Sequence, residues 1–253
     1  SLSKSAAYPV LTESIELVQT HVSWIFLTDT HAFKIKKPVN FGFLNFSTLD
    51  LRRFYCNEEL RLNRRLSPDI YEGVIALHET EDGASFIGNG PVIDYAVMMK
   101  RLPADRMLDQ VLRTEEHVPP TSMDPIAEQV AHLHGRATIY PAIGKPGCPT
   151  RLHHHALENF AESAGLRGDL FDPDLWDTLR HITRADLPRI LPLLRTRLRN
   201  GRVVDGHGDL HARNICMTDP PTLFDCVEFS PDLRCGDTAV ENAFLAMDLR
   251  YRG

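Results

Sequence analysis

Gly206-His207-Gly208-Asp209-Leu210-His211-Ala212-Arg213-Asn214, followed after a short apolar run by Phe224-Asp225-Cys226, is the most informative part of this sequence. Asp209 and Asn214 stand five residues apart, and Asp225 follows eleven residues beyond Asn214. The flanking segments, ICM at 215–217 and TLFDCV at 222–227, read as short strands. A polar turn that merely joins two strands has no need of two carboxylates and an amide at such spacing. Phosphoryl transfer does need them. It asks for a carboxylate beside an acceptor hydroxyl and for oxygen ligands that hold magnesium against phosphates.

Working outward, the first hundred residues are strand-rich with one helix. Segments 14–19 (SIELVQ) and 22–27 (VSWIFL) are apolar and β-branched, and Ala32-Phe33-Lys34-Ile35-Lys36 alternates with period two until Pro38. Ser47-Thr48-Leu49-Asp50 is a helix start signal, and Ser67-Pro68 a stop. The apolar residues Leu51, Phe54, Leu60, Leu62 and Leu66 follow helical spacing only loosely. Strands return at 73–78 and 92–99, with a turn at Glu81-Asp82-Gly83. Beyond Arg101-Leu102-Pro103 the pattern is helical. A short helix covers Met107–Arg113. Another, Asp124–Arg136, places Ile126, Ala127, Val130, Ala131 and Leu133 on one face as a buried stripe. Further helices fill 154–200, broken at Gly165, Gly168, Pro173 and Pro188. The reading is an α+β arrangement of two lobes, 1–101 and 102–253.

The 253 residues include 28 basic and 34 acidic side chains, a net charge of -6, which argues against a general nucleic-acid binder. Five widely spaced cysteines without a CxxC pair fit reduced thiols and a cytoplasmic setting better than a disulfide or zinc framework. No apolar stretch approaches the length of a membrane helix, and SLSKSAAYPV lacks the apolar core of a signal peptide. His153-His154-His155 reads as a solvated run, because consecutive side chains on a helix or strand point apart.

HGDLHARN resembles the catalytic loop of the aminoglycoside phosphotransferases and choline kinases, where HGD replaces the protein-kinase HRD. The phrases AFKIKKPVNFGFLNFSTLDLRR, EELRLNRRLSPDIY and ENAFLAMDL are similar to aminoglycoside-phosphotransferase-like proteins often fused to a P-loop ATPase. The resemblance runs from about residue 20 to the end. It implies a bilobal protein-kinase-like fold that uses ATP and Mg2+ and transfers the γ-phosphoryl group to a hydroxyl of a small polar molecule. Asp209 would be the catalytic base, His207 a brace of the loop, and Asn214 and Asp225 the magnesium ligands. Lys34 or Lys36 would reach the phosphates, and one of them would pair with Glu59, favoured over Glu58 because Leu62 and Leu66 follow it. Lys34 is the preferred lysine, and the other would be a solvated strand lysine. The hinge Met98–Leu102, with Met99 and Arg101, would hold the adenine. Asp237 would brace the active-site loops.

The resemblance is incomplete. The first two strands are joined without the glycine-rich GxGxxG loop, and no APE-like segment ending occurs. Two rival readings follow: nucleotidyl rather than phosphoryl transfer on the same residues, or a nucleotide-sensing module that regulates a fused ATPase.

Overall fold

The computed structural model describes residues 2–114, 118–139 and 148–253. Its first part is a six-stranded antiparallel sheet of β1 (Glu16–Gln19), β2 (Ser23–Leu27), β3 (His31–Lys36), β4 (Tyr71–Thr80), β5 (Gly83–Ser85) and β6 (Val92–Lys100). The spatial order is β1-β2-β3-β6-β4-β5, so β3 lies inside, between β2 and β6. Alternation on β3 gives each face its own task. Phe33 and Ile35 enter an apolar cluster with Tyr8, Leu77, Phe86 and Ala96. Lys34 and Lys36 point to the opposite face, against helix α1 (Leu49–Asn63), where both meet Glu59.

Thr48 caps α1 by accepting the Leu51 N–H at 3.2 Å. The buried stripe of this helix is Arg52, Cys56, Glu59, Leu62 and Asn63. Three of those five are polar, which explains the poor apolar periodicity of its sequence. Each finds a partner. Arg52 Nε donates to Asp94 at 2.8 Å, Glu59 takes the two lysines, and Asn63 Oδ1 accepts the Cys226 N–H at 2.9 Å.

The second part holds α2 (Leu108–Thr114), α3 (Asp124–Arg136), α4 (Pro149–Ser163), α5 (Pro173–Arg199), α6 (Pro231–Arg234) and α7 (Thr238–Arg252). Three short strand pieces around the loops, β7 (Val203–Asp205), β8 (Ile215–Cys216) and β9 (Thr222–Leu223), are joined by β10 (Cys235–Asp237), which pairs with β7. Leu210, Ala212, Ile215 and Leu223 pack on Leu108, Ile126 and Val130, so the loop of residues 206–214 rests on an apolar floor. Among the described residues no helix is long and apolar enough to cross a membrane.

Three expectations from the sequence are corrected. α5 continues through Pro188 and Pro192. Proline removes one N–H and crowds the carbonyl four residues back, here those of Arg184 and Pro188. Both residues are exposed, on the side of the helix open to solvent, while Leu187 and Leu194 keep the inner face buried. On α3 only Ile126, Val130 and Leu133 are buried. Ala127 and Ala131 face an open groove between α3 and α7. Finally, Asp225 lies beyond the end of β9, not on a strand.

Phe33 is fully buried, with its ring centroid 5.0 Å from those of Tyr8 and Phe86. Phe33→Ala is expected to lower the unfolding free energy by about 3–5 kcal/mol through lost burial and a residual cavity. Urea denaturation measures it, and a loss below about 1 kcal/mol would show that this face is not the core.

Candidate active site

Lys34 Nζ lies 2.9 Å from Glu59 Oε1 and 2.6 Å from Asp225 Oδ1. Lys36 Nζ lies 2.6 Å from Glu59 Oε2 and forms a close ion pair with Glu228. The expectation that only one lysine can pair with Glu59 is therefore corrected: each takes one carboxylate oxygen. The reason is geometric. Lysines two apart on a strand share a face, and a carboxylate inserted between them has two oxygens to offer.

The side chains of Glu59 and Lys36 are 0% and 1% exposed, against 13% for Lys34 and 41% for Asp225. Lys34 and Asp225 thus form the accessible end of the cluster. Burial alone pushes the Glu59 carboxyl up, but the charges of Lys34 and Lys36 outweigh it and hold the group below the usual carboxylate range. Burial likewise works against the charged form of Lys34, and Asp225 and Glu59 reverse that, so its ammonium is held well above the ordinary range. Glu228 lies under the opposite balance, with burial dominating and its carboxyl raised.

The loop residues form a second group. Asn214 Nδ2 donates to the Asp209 carbonyl at 2.9 Å and to Asp209 Oδ2 at 3.2 Å, which leaves the amide oxygen of Asn214 as its acceptor. His211 Nε2 stands 3.4 Å from Asp209 Oδ2. Burial would raise the Asp209 carboxyl, yet the bond and charge of His211 hold it below its ordinary value. His207 Nε2 donates to the Phe224 carbonyl at 2.9 Å and its Nδ1 accepts the Asp209 N–H at 3.3 Å, the bonding pattern of a neutral imidazole. His207 therefore binds the Asp209 loop to the segment that carries Asp225. The Phe224 N–H reinforces this by donating to the Asn214 carbonyl at 3.0 Å.

Asp225 has φ of 65°, a left-handed conformation that is uncommon outside glycine. Its N–H donates to the hydroxyl of buried Tyr71 at 3.1 Å. With the Cys226 N–H held by Asn63, the two bonds maintain the turn that presents the Asp225 carboxylate.

Between this cluster and the sheet lies an apolar cavity of about 200 Å³, walled by Val18, Leu27, Ala32, Met99 and Leu102, with Lys34, Glu59 and Asp225 also in its lining. Met99, near the end of β6, is one of these lining residues. Arg101 is not. Its guanidinium donates to the Thr28 carbonyl in the β2–β3 turn at 2.8 Å and to Glu16 Oε2 on β1 at 3.1 Å, and its N–H to the Thr30 carbonyl.

Several supporting residues were missed in the sequence. Glu241 on α7 accepts the N–H groups of His207 at 2.6 Å and Gly208 at 2.8 Å, and also binds His134. Arg65 donates to the carbonyls of Asp205 and Gly206, both at 2.6 Å. Buried Arg234 pairs with Asp205 at 2.5 Å. A Cβ on Gly206 would stand 2.7 Å from Glu241 Oε1, and one on Gly208, at φ of 85°, 2.7 Å from Arg234 Cα. The loop needs glycine at both places. Asp237 caps α7 and takes a two-pronged contact from Arg197 at 2.7–3.0 Å, bracing the start of the helix that carries Glu241.

The donor set suits a hard divalent cation. The amide oxygen of Asn214 and the half-exposed carboxylate of Asp225 are oxygen ligands, and the charge row, two lysines against three carboxylates, carries one negative charge in excess.

Removing Lys36 leaves Glu228 unpaired and half of Glu59 unpaired in a dry site, whereas removing Lys34 leaves Glu59 its Lys36 contact. Lys36→Ala is expected to destabilise by about 3–5 kcal/mol and Lys34→Ala by clearly less. Urea midpoints of the two variants decide it, and equal or reversed losses would contradict this account.

No family model matches the chain. Uncharacterized proteins of Mycobacterium tuberculosis (strain H37Rv) and Mycobacterium bovis are each 32% identical to it over 252 residues, which is 98% of this chain and 48% of theirs. The chain thus spans about half the length of those relatives. Among solved structures, the GDP complex of wild-type aminoglycoside 2'-phosphotransferase-IIIa matches with a TM-score of 0.54 at 16% identity, over 95% of this chain and 74% of that one. A choline/ethanolamine kinase family protein from Mesorhizobium loti matches with a TM-score of 0.53 at 15% identity, over 99% and 70%. With a strand lysine, a helix glutamate and a loop aspartate gathered beside the sheet, this chain has the protein-kinase-like fold of the aminoglycoside phosphotransferases and the choline/ethanolamine kinases.

Proposed function

We propose that the chain is an ATP- and magnesium-dependent phosphotransferase that moves the γ-phosphoryl group to a hydroxyl of a small polar molecule. One observation carries this reading: Lys34 joins Glu59 and Asp225 beside an apolar cavity, while Asp209 is fastened to the same segment through His207 and Asn214 through the Phe224 N–H. The cavity suits a flat base, and Met99 lines it. Lys34 is the group placed to meet phosphate oxygens. In transfer, the acceptor oxygen bonds to the γ-phosphorus, the bond from that phosphorus to the bridging oxygen breaks, and Asp209 takes the hydroxyl proton. Asp209 is half-exposed and its carboxyl is held below its ordinary value by His211, so it is offered to the acceptor as a carboxylate held in place rather than as a strengthened base. Magnesium, held by Asn214 and Asp225, would neutralise charge on the phosphate oxygens.

The likeness to the two kinase groups, one of them seen as a GDP complex, supports nucleotide use and a hydroxyl acceptor, while ATP as the nucleotide and a cytoplasmic setting are carried over from the sequence reading. The relatives are about twice as long as this chain, and we propose that a P-loop ATPase occupies the remainder. That length also supports the second reading, a nucleotide-sensing module of such an ATPase.

Saturating MgATP at a hundredfold over Kd is expected to stabilise the protein by about 2.7 kcal/mol. Asp209→Asn should keep nucleotide affinity and lower turnover by roughly 10²–10⁴-fold, read with γ-labelled ATP and a panel of hydroxyl acceptors. Asp225→Asn should weaken magnesium-dependent binding as well. Binding without turnover across the panel would favour the sensing module, and label transfer from the adenine moiety would favour nucleotidyl transfer. No stabilisation by MgATP would overturn the proposal.

A further inference from the structure

Five charged side chains form a continuous row, Asp225–Lys34–Glu59–Lys36–Glu228, each in ion-pair contact with the next. A lysine that meets phosphate and a glutamate that orients it account for Lys34 and Glu59. Lys36 and Glu228 lie behind them, 1% and 6% exposed, and neither lines the cavity. Taking two further ions out of water costs several kcal/mol each, and apolar residues of equal volume would fill the space at less cost. Fold stability alone therefore does not account for the second pair.

What the pair does is set by valence and connectivity. Lys36 occupies Glu59 Oε2, so only Oε1 is left for Lys34, which then reaches Asp225 at 2.6 Å with another of its three donors. Lys36 is itself held from two sides: Glu228 binds its ammonium, and the Phe46 ring centroid lies 4.9 Å from Nζ. Glu228 sits three residues past Asp225, on the segment whose N–H groups are bonded by Tyr71 and Asn63. The row thus returns to its own start. Strand β3, helix α1 and segment 225–228 form a closed loop of contacts, with Glu59 fixed in the middle.

We propose that Lys36 and Glu228 are positioning residues, which limit Glu59 to one oxygen for Lys34 and so keep Lys34 turned toward Asp225 and the cavity. Without them Glu59 presents both oxygens to Lys34 and draws it back from Asp225. The phosphate end of a bound nucleotide would feel this and the base end would not. That last step rests on the proposed phosphotransfer, and the displacement of Lys34 does not.

The test combines Lys36→Met with Glu228→Leu, which removes both charges at similar volume and leaves no carboxylate alone at the end of the row. In crystals of the unliganded variant, the Lys34–Asp225 contact is expected to be lost and Lys34 to meet both Glu59 oxygens. A retained contact would overturn the proposal. Calorimetry then compares MgATP with adenosine. The preference for ATP is expected to fall about tenfold, ~1.4 kcal/mol, with adenosine affinity unchanged. Equal weakening of ATP and adenosine would mark a purely structural role and refute the positioning claim. A displaced Lys34 with an unaltered ATP preference would uphold the positioning and instead count against Lys34 as the phosphate contact. Should the double variant fail to fold, Glu228→Gln keeps the shape, weakens the hold on Lys36 and is read by the same two measurements.

Discussion

A carboxylate sealed from water must be met by cations or give up its charge, and Glu59 is the point where this chain faces that constraint. Its two oxygens are taken by two lysines from one strand face, and each lysine is carried on to a carboxylate of the segment after β9. The consequence reaches well past the charges. Helix α1 turns a polar stripe inward, β3 keeps its apolar residues for the other face, and the two halves of the molecule are joined by ion pairs. Desolvation makes this costly, so the arrangement holds only while all members are present.

The second organising device is the treatment of residues 205–209. Their N–H and C=O groups are bonded by Glu241 from α7 and Arg65 from beyond the end of α1, and Arg234 from α6 holds the Asp205 carboxylate. Two glycines let these partners come close enough. Catalytic geometry that is fixed before substrate arrives costs nothing to organise during reaction, and such a clamp provides it. Asp209 and Asn214 are short side chains on a fastened backbone, and the Asn214 amide and His211 hold Asp209 by Oδ2 alone.

Legibility in the sequence followed range. The longer sheet strands, α1 and α3 appear in local patterning, and the spacing of Asp209, Asn214 and Asp225 brought out the loop. The pairing of Lys34 and Lys36 on one face was readable from period two, but not that Glu59 would divide its oxygens between them, because that depends on how deeply α1 sits. Arg101 looked like a cleft residue from its place in the chain, and only the position of the β2–β3 turn shows what its guanidinium meets. Glu228, Glu241, Arg65 and Arg234 were overlooked for one reason. A charged residue in a helix or loop reads as solvated, and burial with a distant partner leaves no periodic trace. Pro188 misled in the opposite sense, since a proline on the side of a helix open to solvent leaves the buried face intact.

The row of charges also imposes an order on the making of the protein. Lys34 and Asp225 are 191 residues apart in the chain, so both lysines and Glu59 emerge from the ribosome long before the carboxylates that complete the row. At cellular rates of synthesis that gap lasts roughly 10–40 s. During it the sheet can close over Phe33, yet two ammonium groups share one carboxylate, and the surplus charge keeps that side of β3 wet. The row therefore closes only once segment 225–228, with its two carboxylates, has been made.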